Sequence, residues 1–575
     1  MKSFLTAVGW FLMTCLSTAA VAGDPVFDFD RIMGDPLEAK VLTTRQEEGV
    51  VLQEFEYTVG QWKGQSVRVY GILGYPQEGT KLPAIFWSQS GMYPATEYFP
   101  KVFAKKGYFC LNITLPHDVY DSFARFTTED PKGGNITGLA IAQMRGITYM
   151  SQRPEVDPQR IGVSGSSYGG FFSSLIAGAD PRVKAGMSFF TSGNHHLGTL
   201  YPQFKRLRTT DAVDRWLETI DPAWRLRHKK VPFLWAIAAN DHWHHLPSAV
   251  QTYVDSIGEK RMSIVPNWAH AFPENIDQML IDWFDVYMTG TRKPYNQPGR
   301  IKAGQVDGKL IASWDWSGDN AVKKAELVVS YGAVRPWHCW VYRYHLVVAA
   351  QIDGNTARAE IPVYEPGMEM LVYGNVTDQQ DVVTSTVPIT VQPDKLGVDR
   401  RTARENFNAA LVRDFSAEEL VFLRRHGTIV PGEGDTNQKQ AGLQSLRVEE
   451  PQATLPLKLG HVPQRTHRLT LWLRAEKPTT VQVQVVGAVP RWNSAVVEII
   501  RRQYPGAAAI KHADIQQPVF TLDAPVDSQW REFSLDCPFD GMPVEGYDLH
   551  ITQAAGGDAV YWVDTIGFKP LWQSP

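Results

Sequence analysis

The chain has 575 residues, too many for one hydrophobic core, and ordinary domain sizes suggest three or four domains. Hydrophobic residues make up 43% and charged residues 21%, the proportions of a soluble globular protein. A formal net charge of −4 leaves no excess of basic surface, which excludes the electrostatic footprint of a nucleic-acid-binding protein.

Residues 1–22 read as a secretory signal peptide. Met1-Lys2 gives a positive start, an apolar run follows from Phe4 to Leu16, and Ala20-Val21-Ala22 is an A-x-A-like cleavage site before Gly23-Asp24-Pro25. A membrane anchor is the rival reading, but the run is shorter than the roughly 20 residues that span a bilayer. A lipoprotein signal at Cys15 is the weaker alternative, because Cys15 follows Leu12-Met13-Thr14 and threonine just before the cysteine is unusual. No later segment is apolar enough to span, so the expectation is a secreted or periplasmic protein. The remaining cysteines, Cys110, Cys339 and Cys537, are odd in number and far apart. That argues against a disulfide framework or a cysteine metal site and for buried apolar roles.

Alternation over Val51, Gln53, Phe55, Tyr57 and then Val67, Val69, Gly71 predicts a pair of antiparallel strands. From Leu82 the rhythm changes to continuous apolar runs separated by helical stretches. Strands are predicted at Pro83–Trp87, Tyr108–Ile113, Arg160–Ser164, Ala185–Phe190, Phe233–Ala238 and Met262–Val265. Helices are predicted at Tyr98–Lys106, Leu139–Gln152, after Gly169 and over Glu274–Met288. Buried strands alternating with helices make a parallel sheet covered on both faces, so residues 23–297 form one α/β domain. Residues 298–395 hold short alternating strands (325–329, 340–348, 357–361) and read as an immunoglobulin- or fibronectin-like β-sandwich. Residues 396–440 read as a linker with one helix, 416–425, capped by Ser416 with Glu419 three residues on. Strands at 469–473, 481–485, 532–535 and 560–563 predict a second, jelly-roll sandwich over 441–575.

The chemistry concentrates in the first domain. The strand ending at Ser164 runs into Gly165-Ser166-Ser167-Tyr168-Gly169-Gly170 and then a helix. This is G-x-S-x-G in a strand–turn–helix setting, where glycines flank a sharp elbow and the apical serine, Ser167, stands exposed above the sheet. Ser164 and Ser166 lack glycines at both offsets. A serine hydroxyl needs a base, and an elbow serine takes its acid and then its histidine from loops after later strands. The strand to Ala238 ends in Ala239-Asn240-Asp241, and the strand to Val265 ends in Pro266-Asn267-Trp268-Ala269-His270. Asp241 is therefore the predicted acid and His270 the predicted base. The N–H of Tyr168, at the start of a helix, is a predicted oxyanion donor, and the loop Ser88-Gln89-Ser90-Gly91-Met92 supplies the second from Gly91 or Met92. His242, His244, His245, His195 and His196 could suggest a metal, but none shows a ligand spacing such as H-E-x-x-H. No metal and no cofactor is expected, His242 and Trp243 are assigned to the pocket or its rim, and Trp268 fits the pocket or the core equally. Trp87 fits the pocket or the core equally.

These residues resemble the α/β-hydrolases related to prolyl oligopeptidases, dienelactone hydrolases and acetyl xylan esterases. The resemblance is carried by Arg153–Gly170, Asn240-Asp241 and Trp268-Ala269-His270 and covers about residues 60–290. It implies an α/β-hydrolase fold for the first domain, so the expected architecture is an α/β-hydrolase domain followed by the two β-sandwich domains read from the strand pattern. No propeller precedes the catalytic domain, in contrast to the oligopeptidases. Leu469–Ala475, Gln529–Phe533 and Trp562–Phe568 resemble strands of galactose-binding-like modules, which implies a candidate carbohydrate surface.

The function expected from this reading is a secreted serine esterase. Its substrate would be a small ester or an acylated polysaccharide, acetyl groups included. Two alternatives stay open: a serine peptidase with the same triad, and a carbohydrate-binding protein on an inert hydrolase domain.

Overall fold

In the computed structural model, residues 24–331 are described apart from 92, 121–126, 198–206, 208, 242, 267, 269, 271 and 273–275. Residues 345–399 are described apart from 364 and 365, together with 412–413. Residues 432–571 are described apart from 441–443, 451, 462–465, 488–517 and 539–545. The expected signal segment 1–22 and the expected helix 416–425 lie outside these residues, as do Cys15 and Cys339.

A nine-stranded sheet organises the first domain. Its strands are β1 (Lys40–Glu47), β2 (Val50–Trp62), β3 (Gln65–Pro76), β4 (Leu82–Ser88), β5 (Phe109–Ile113), β6 (Val156–Ser166), β7 (Val183–Phe189), β8 (Phe233–Ala238) and β9 (Lys260–Val265). They lie in the order β1-β2-β3-β5-β4-β6-β7-β8-β9. The first three form an antiparallel meander, and β5, β4, β6, β7, β8 and β9 run parallel. β1 is an addition to the predicted pair. All eight of its residues are exposed, so it carries no apolar alternation to betray it.

The helices are α1 (Phe29–Gly34), α2 (Tyr98–Ala104), α3 (His117–Tyr120), α4 (Asn135–Ser151), α5 (Tyr168–Ala179), α6 (Thr210–Ile220), α7 (Pro222–His228), α8 (Leu246–Asp255) and α9 (Ile276–Phe284). The pleat of the sheet divides the core into two layers. Ala84, Phe86, Ile161 and Val163 face one core with residues of α4, α5 and α8. Ile85, Trp87, Ala185, Met187 and Leu234 face the other with α2 and α9. Helices α6 and α7 fill the insertion between β7 and β8. Each has a side-chain N-cap: Thr209 accepts from the Ala212 N–H and Asp221 from the Ala223 N–H.

The second domain consists of β10 (Gln297–Pro298), β11 (Lys302–Val306), β12 (Lys309–Ser317), β13 (Val322–Tyr331), β14 (His345–Ala349), β15 (Gln351–Asp353), β16 (Thr356–Glu360), β17 (Met370–Asp378), β18 (Val383–Ser385) and β19 (Ile389–Val391). They form two antiparallel sheets, β10-β12-β16-β15 with β11, and β14-β13-β17-β18 with β19. A core of Trp314, Leu327, Val329, Ala357 and Val372 lies between them. β18 lies against β9, the edge strand of the large sheet.

The last region also has two antiparallel sheets around one core. Gly432–Asp435, expected as linker, is a strand instead: it pairs with Ser445–Val448, and the Asp435 carboxylate accepts from the Trp562 indole N–H at 2.9 Å. Val412–Arg413 likewise pairs with Gly567 and Ile566. Turn-type composition hid Gly432–Asp435, and Val412–Arg413 pairs with residues more than a hundred positions away. Among the described residues no helix is long and apolar enough to cross a membrane.

One buried cation ties the N-terminal segment to the domain. Arg145 of α4, 1% exposed, donates to the carbonyls of Ile32, Asp35, Pro36 and Thr58 at 2.7–3.2 Å. Arg145→Met keeps the bulk but leaves these carbonyls without their donor. It should lower stability by about 3 kcal/mol, read as a lower urea midpoint, because unsatisfied buried acceptors cost their desolvation.

Candidate active site

The elbow is built by steric exclusion. A Cβ on Gly169 would stand 2.1 Å from the Ser88 carbonyl oxygen, and one on Gly165 would stand 2.6 Å from the Gly169 carbonyl oxygen. Only glycine lets the first turn of α5 press against the end of β4 this closely. Ser167 itself takes φ 54°, ψ −121°, a conformation that L-residues rarely adopt and that costs on the order of 1–3 kcal/mol. Its N–H donates to the Phe189 carbonyl at 3.0 Å, which fixes the turn against β7.

The three predicted residues meet. Ser167 Oγ lies 2.7 Å from His270 Nε2, and His270 Nδ1 lies 2.8 Å from Asp241 Oδ2. A carboxylate only accepts, so Nδ1 carries the proton and Nε2 receives the serine hydroxyl. Asp241 is fully buried, and its other oxygen accepts the N–H groups of Trp243 at 2.7 Å and His244 at 2.9 Å. Burial pushes this carboxyl upward, but the charge and hydrogen bond of His270 and the backbone N–H of His244 bring it down to about 2. The acid and base loops are stitched together by the Asn240 N–H donating to the Trp268 carbonyl at 2.8 Å.

Tyr168 opens α5, so its N–H belongs to the first helical turn, whose amides have no acceptor within the helix. Gly91 lies in the loop after β4 at φ +54°. Met92 lies outside the described residues, as does His242. Trp243, two residues after Asp241, is 38% exposed. Trp268 is 6% exposed and packs into the core beneath the histidine loop rather than facing a substrate. Trp87 is also core, stacked on Phe99.

Sequence reasoning missed the groups that hold these loops. His117 Nε2 donates to the Gly91 carbonyl at 2.8 Å, and burial lowers its imidazole below the ordinary value. The same loop is pinned by a buried amide network. Gln89 donates to the Pro94 carbonyl, and Asn112 donates to the Gln89 side chain and to the Trp87 carbonyl. Asn112 and Thr114 in turn accept from the N–H groups of Thr96 and Ala95. His117 had one available signal, its place just after Leu115-Pro116 at the carboxyl end of β5. Gln89 and Asn112 had none, because their meaning lies in each other.

Phe190, at φ +34°, packs edge-on against the His270 ring with centroids 4.6 Å apart. His244 lies parallel to His270 at 6.0 Å, and its Nδ1 is 3.2 Å from Ser192 Oγ. Burial holds His244 well below its ordinary value, which disfavours its charged form. His195 pairs with Asp221 at 3.0 Å beyond it, and both are 2% exposed.

A serine, an acid and a histidine, in that chain order, stand at the carboxyl ends of β6, β8 and β9 of a mainly parallel sheet. That is the architecture of the α/β-hydrolase class. No family model matches the chain. A curated relative, the acetyl esterase Axe7A of Xylanibacter ruminicola, is 28% identical over 165 residues. The match covers 24% of this chain and 38% of the relative, so the chain spans well under half of that protein's length. Among solved structures, an acetyl xylan esterase from Paenibacillus sp. R4 aligns with 18% identity over 44% of this chain and 89% of that one, with a TM-score of 0.38. Acetyl xylan esterase 1 from Thermoanaerobacterium sp. aligns with 16% identity over 46% and 94%, also with a TM-score of 0.38.

The lowered Asp241 carboxyl makes stability depend on pH in a defined direction. The unfolded chain binds a proton near pH ~3.9, the native state only near pH 2. The stabilisation is therefore complete above about pH 4 and is lost as pH falls towards 2. In urea unfolding over that interval the wild type should lose stability more steeply than Asp241→Asn, which has no carboxyl to protonate.

Proposed function

We propose that the chain is a serine-dependent carboxylic-ester hydrolase that removes acetyl groups from a polysaccharide outside the cytoplasm. The observation that carries this reading is the continuous relay from Ser167 through His270 to Asp241, with both hydrogen bonds under 3 Å. Ser167 Oγ attacks the ester carbonyl as Nε2 takes its proton. The imidazolium so formed faces the Asp241 carboxylate, which stays charged across any physiological pH. The negative oxygen of the tetrahedral intermediate is received by the N–H of Tyr168 and by the Gly91 loop. Nε2 then returns the proton to the leaving alcohol, and water repeats the cycle on the acyl-enzyme.

The choice of acetyl ester is supported by the name of the curated relative. The choice of a polymeric alcohol is supported by the rim. Tyr93, 68% exposed, packs beside Gly91, while Trp243 and Phe272 each lie two residues beyond a triad member and are more than a third exposed. Flat, partly wet aromatic faces suit the mixed apolar and polar faces of sugar rings. The A-x-A-like leader supports export. In this reading the C-terminal sheets are the galactose-binding-like module that holds the polymer.

The test is hydrolysis of a short aryl acetate and of an acetylated polysaccharide, with a metal chelator present. Turnover should survive chelation and fall by roughly 10⁴-fold or more in Ser167→Ala, with the Ser167→Ala/His270→Ala double variant hardly slower. Tyr93→Ala should lose more on the polymer than on the aryl acetate. Full activity in Ser167→Ala would overturn the assignment. Amide cleavage in preference to ester cleavage would turn it towards a peptidase.

A further inference from the structure

β9 carries the base, yet it is the edge of its sheet, with β8 as its one sheet neighbour. An edge strand presents N–H and C=O groups with no strand beside them. At Ile264 both groups are taken up by side chains of the second domain. The Ile264 N–H donates to Ser385 Oγ at 2.8 Å, and the Ile264 carbonyl accepts from Asn375 Nδ2 at 3.2 Å. Ser385 Oγ donates in turn to Asn375 Oδ1 at 2.6 Å. Asn375 and Ser385 sit directly opposite each other on β17 and β18, 3% and 2% exposed. The pair offers one acceptor and one donor, as the backbone of a tenth strand would.

The position of this clamp matters because packing beneath the histidine loop is incomplete. A mostly apolar pocket of about 40 Å³, partly open rather than enclosed, lies there, lined by Phe190, Trp268, Met279 and, from the second domain, Val383. A void forfeits the contacts that would otherwise fix its lining. Among the described residues the approach to His270 is held by hydrogen bonds on two sides: the Ala239 and Asn240 N–H groups of the acid loop bond the Val265 and Trp268 carbonyls, and the clamp bonds Ile264. His270 follows Trp268 by two residues and Ile264 by six.

We infer that Asn375 and Ser385 are positioning residues for His270, so that the second domain is a working part of the catalytic site. This rests on the hydrolase reading above. A base displaced by a fraction of an ångström loses its line to Ser167 Oγ while the substrate pocket is untouched.

The experiment uses the full chain. In Ser385→Ala and Asn375→Asp, kcat on an aryl acetate should fall roughly 10-fold with KM nearly unchanged, among molecules that keep the wild-type melting transition. Ser385→Thr, which keeps the hydroxyl, should restore kcat. In a His270→Ala background neither substitution should slow the residual rate further, because the effect passes through the imidazole. An independent readout is the low-field proton NMR signal of the His270 Nδ1–H bonded to Asp241, which should shift or broaden in Ser385→Ala. It identifies the clamp even if no ester is turned over, a result that would remove the esterase reading alone. An unmoved proton signal, unchanged kcat, or an equal loss in the His270→Ala background would overturn the inference.

Discussion

Everything at the site follows from one close approach, that of the first turn of α5 to the end of β4. With Gly169 against the Ser88 carbonyl and Gly165 against Gly169, the chain reverses within a few residues. Ser167 is thereby forced into a left-handed conformation above the sheet. The same approach places the start of α5 beside the loop that leaves β4. Ser167 and the backbone of Tyr168 and Gly91 are thus set by one steric arrangement, and the strain at Ser167 is offset by the core on which α5 rests.

The surroundings of that elbow are rigid for different reasons on its different sides. The Gly91 loop is held by polar side chains, Gln89, Asn112, Thr114 and His117, each bonded to backbone. The acid is held by backbone donors of its own turn. The histidine loop follows the edge strand and depends on hydrogen bonds to Asn240 and to the second domain. Burial disfavours charge on His244 behind the imidazole, and the charged group that His270 faces from its Nδ1 side is Asp241.

That Ser167, His270 and Asp241 meet was legible in the sequence because each follows a buried apolar strand, and the strand tells where the residue must stand. The parallel sheet was legible for the same reason. β1 was not, because an exposed strand with Lys40, Thr43, Thr44 and Arg45 has no hydrophobic period. Helices α6 and α7 carried cap signals at Thr209 and Asp221-Pro222, but they lie in an insertion where no strand rhythm frames them. Gly432–Asp435 looked like linker because two glycines and two acids in four residues have the composition of a turn. Asn375 and Ser385 were beyond reach altogether: their hydrogen bonds to Ile264 span more than a hundred residues. Trp268 had two readings, and packing decided between them.

The free thiols of Cys110 and Cys537 have a consequence of their own. Cys110 lies in the core between the large sheet and α2, and Cys537 lies within the C-terminal sheets. Burial raises both, Cys537 to about 12, so neither offers a thiolate while its layer is shut. Alkylation at either residue therefore waits for local opening. Mapped cysteine by cysteine, the rate of labelling becomes a clock for each region, showing whether catalytic core and C-terminal sheets breathe together or apart.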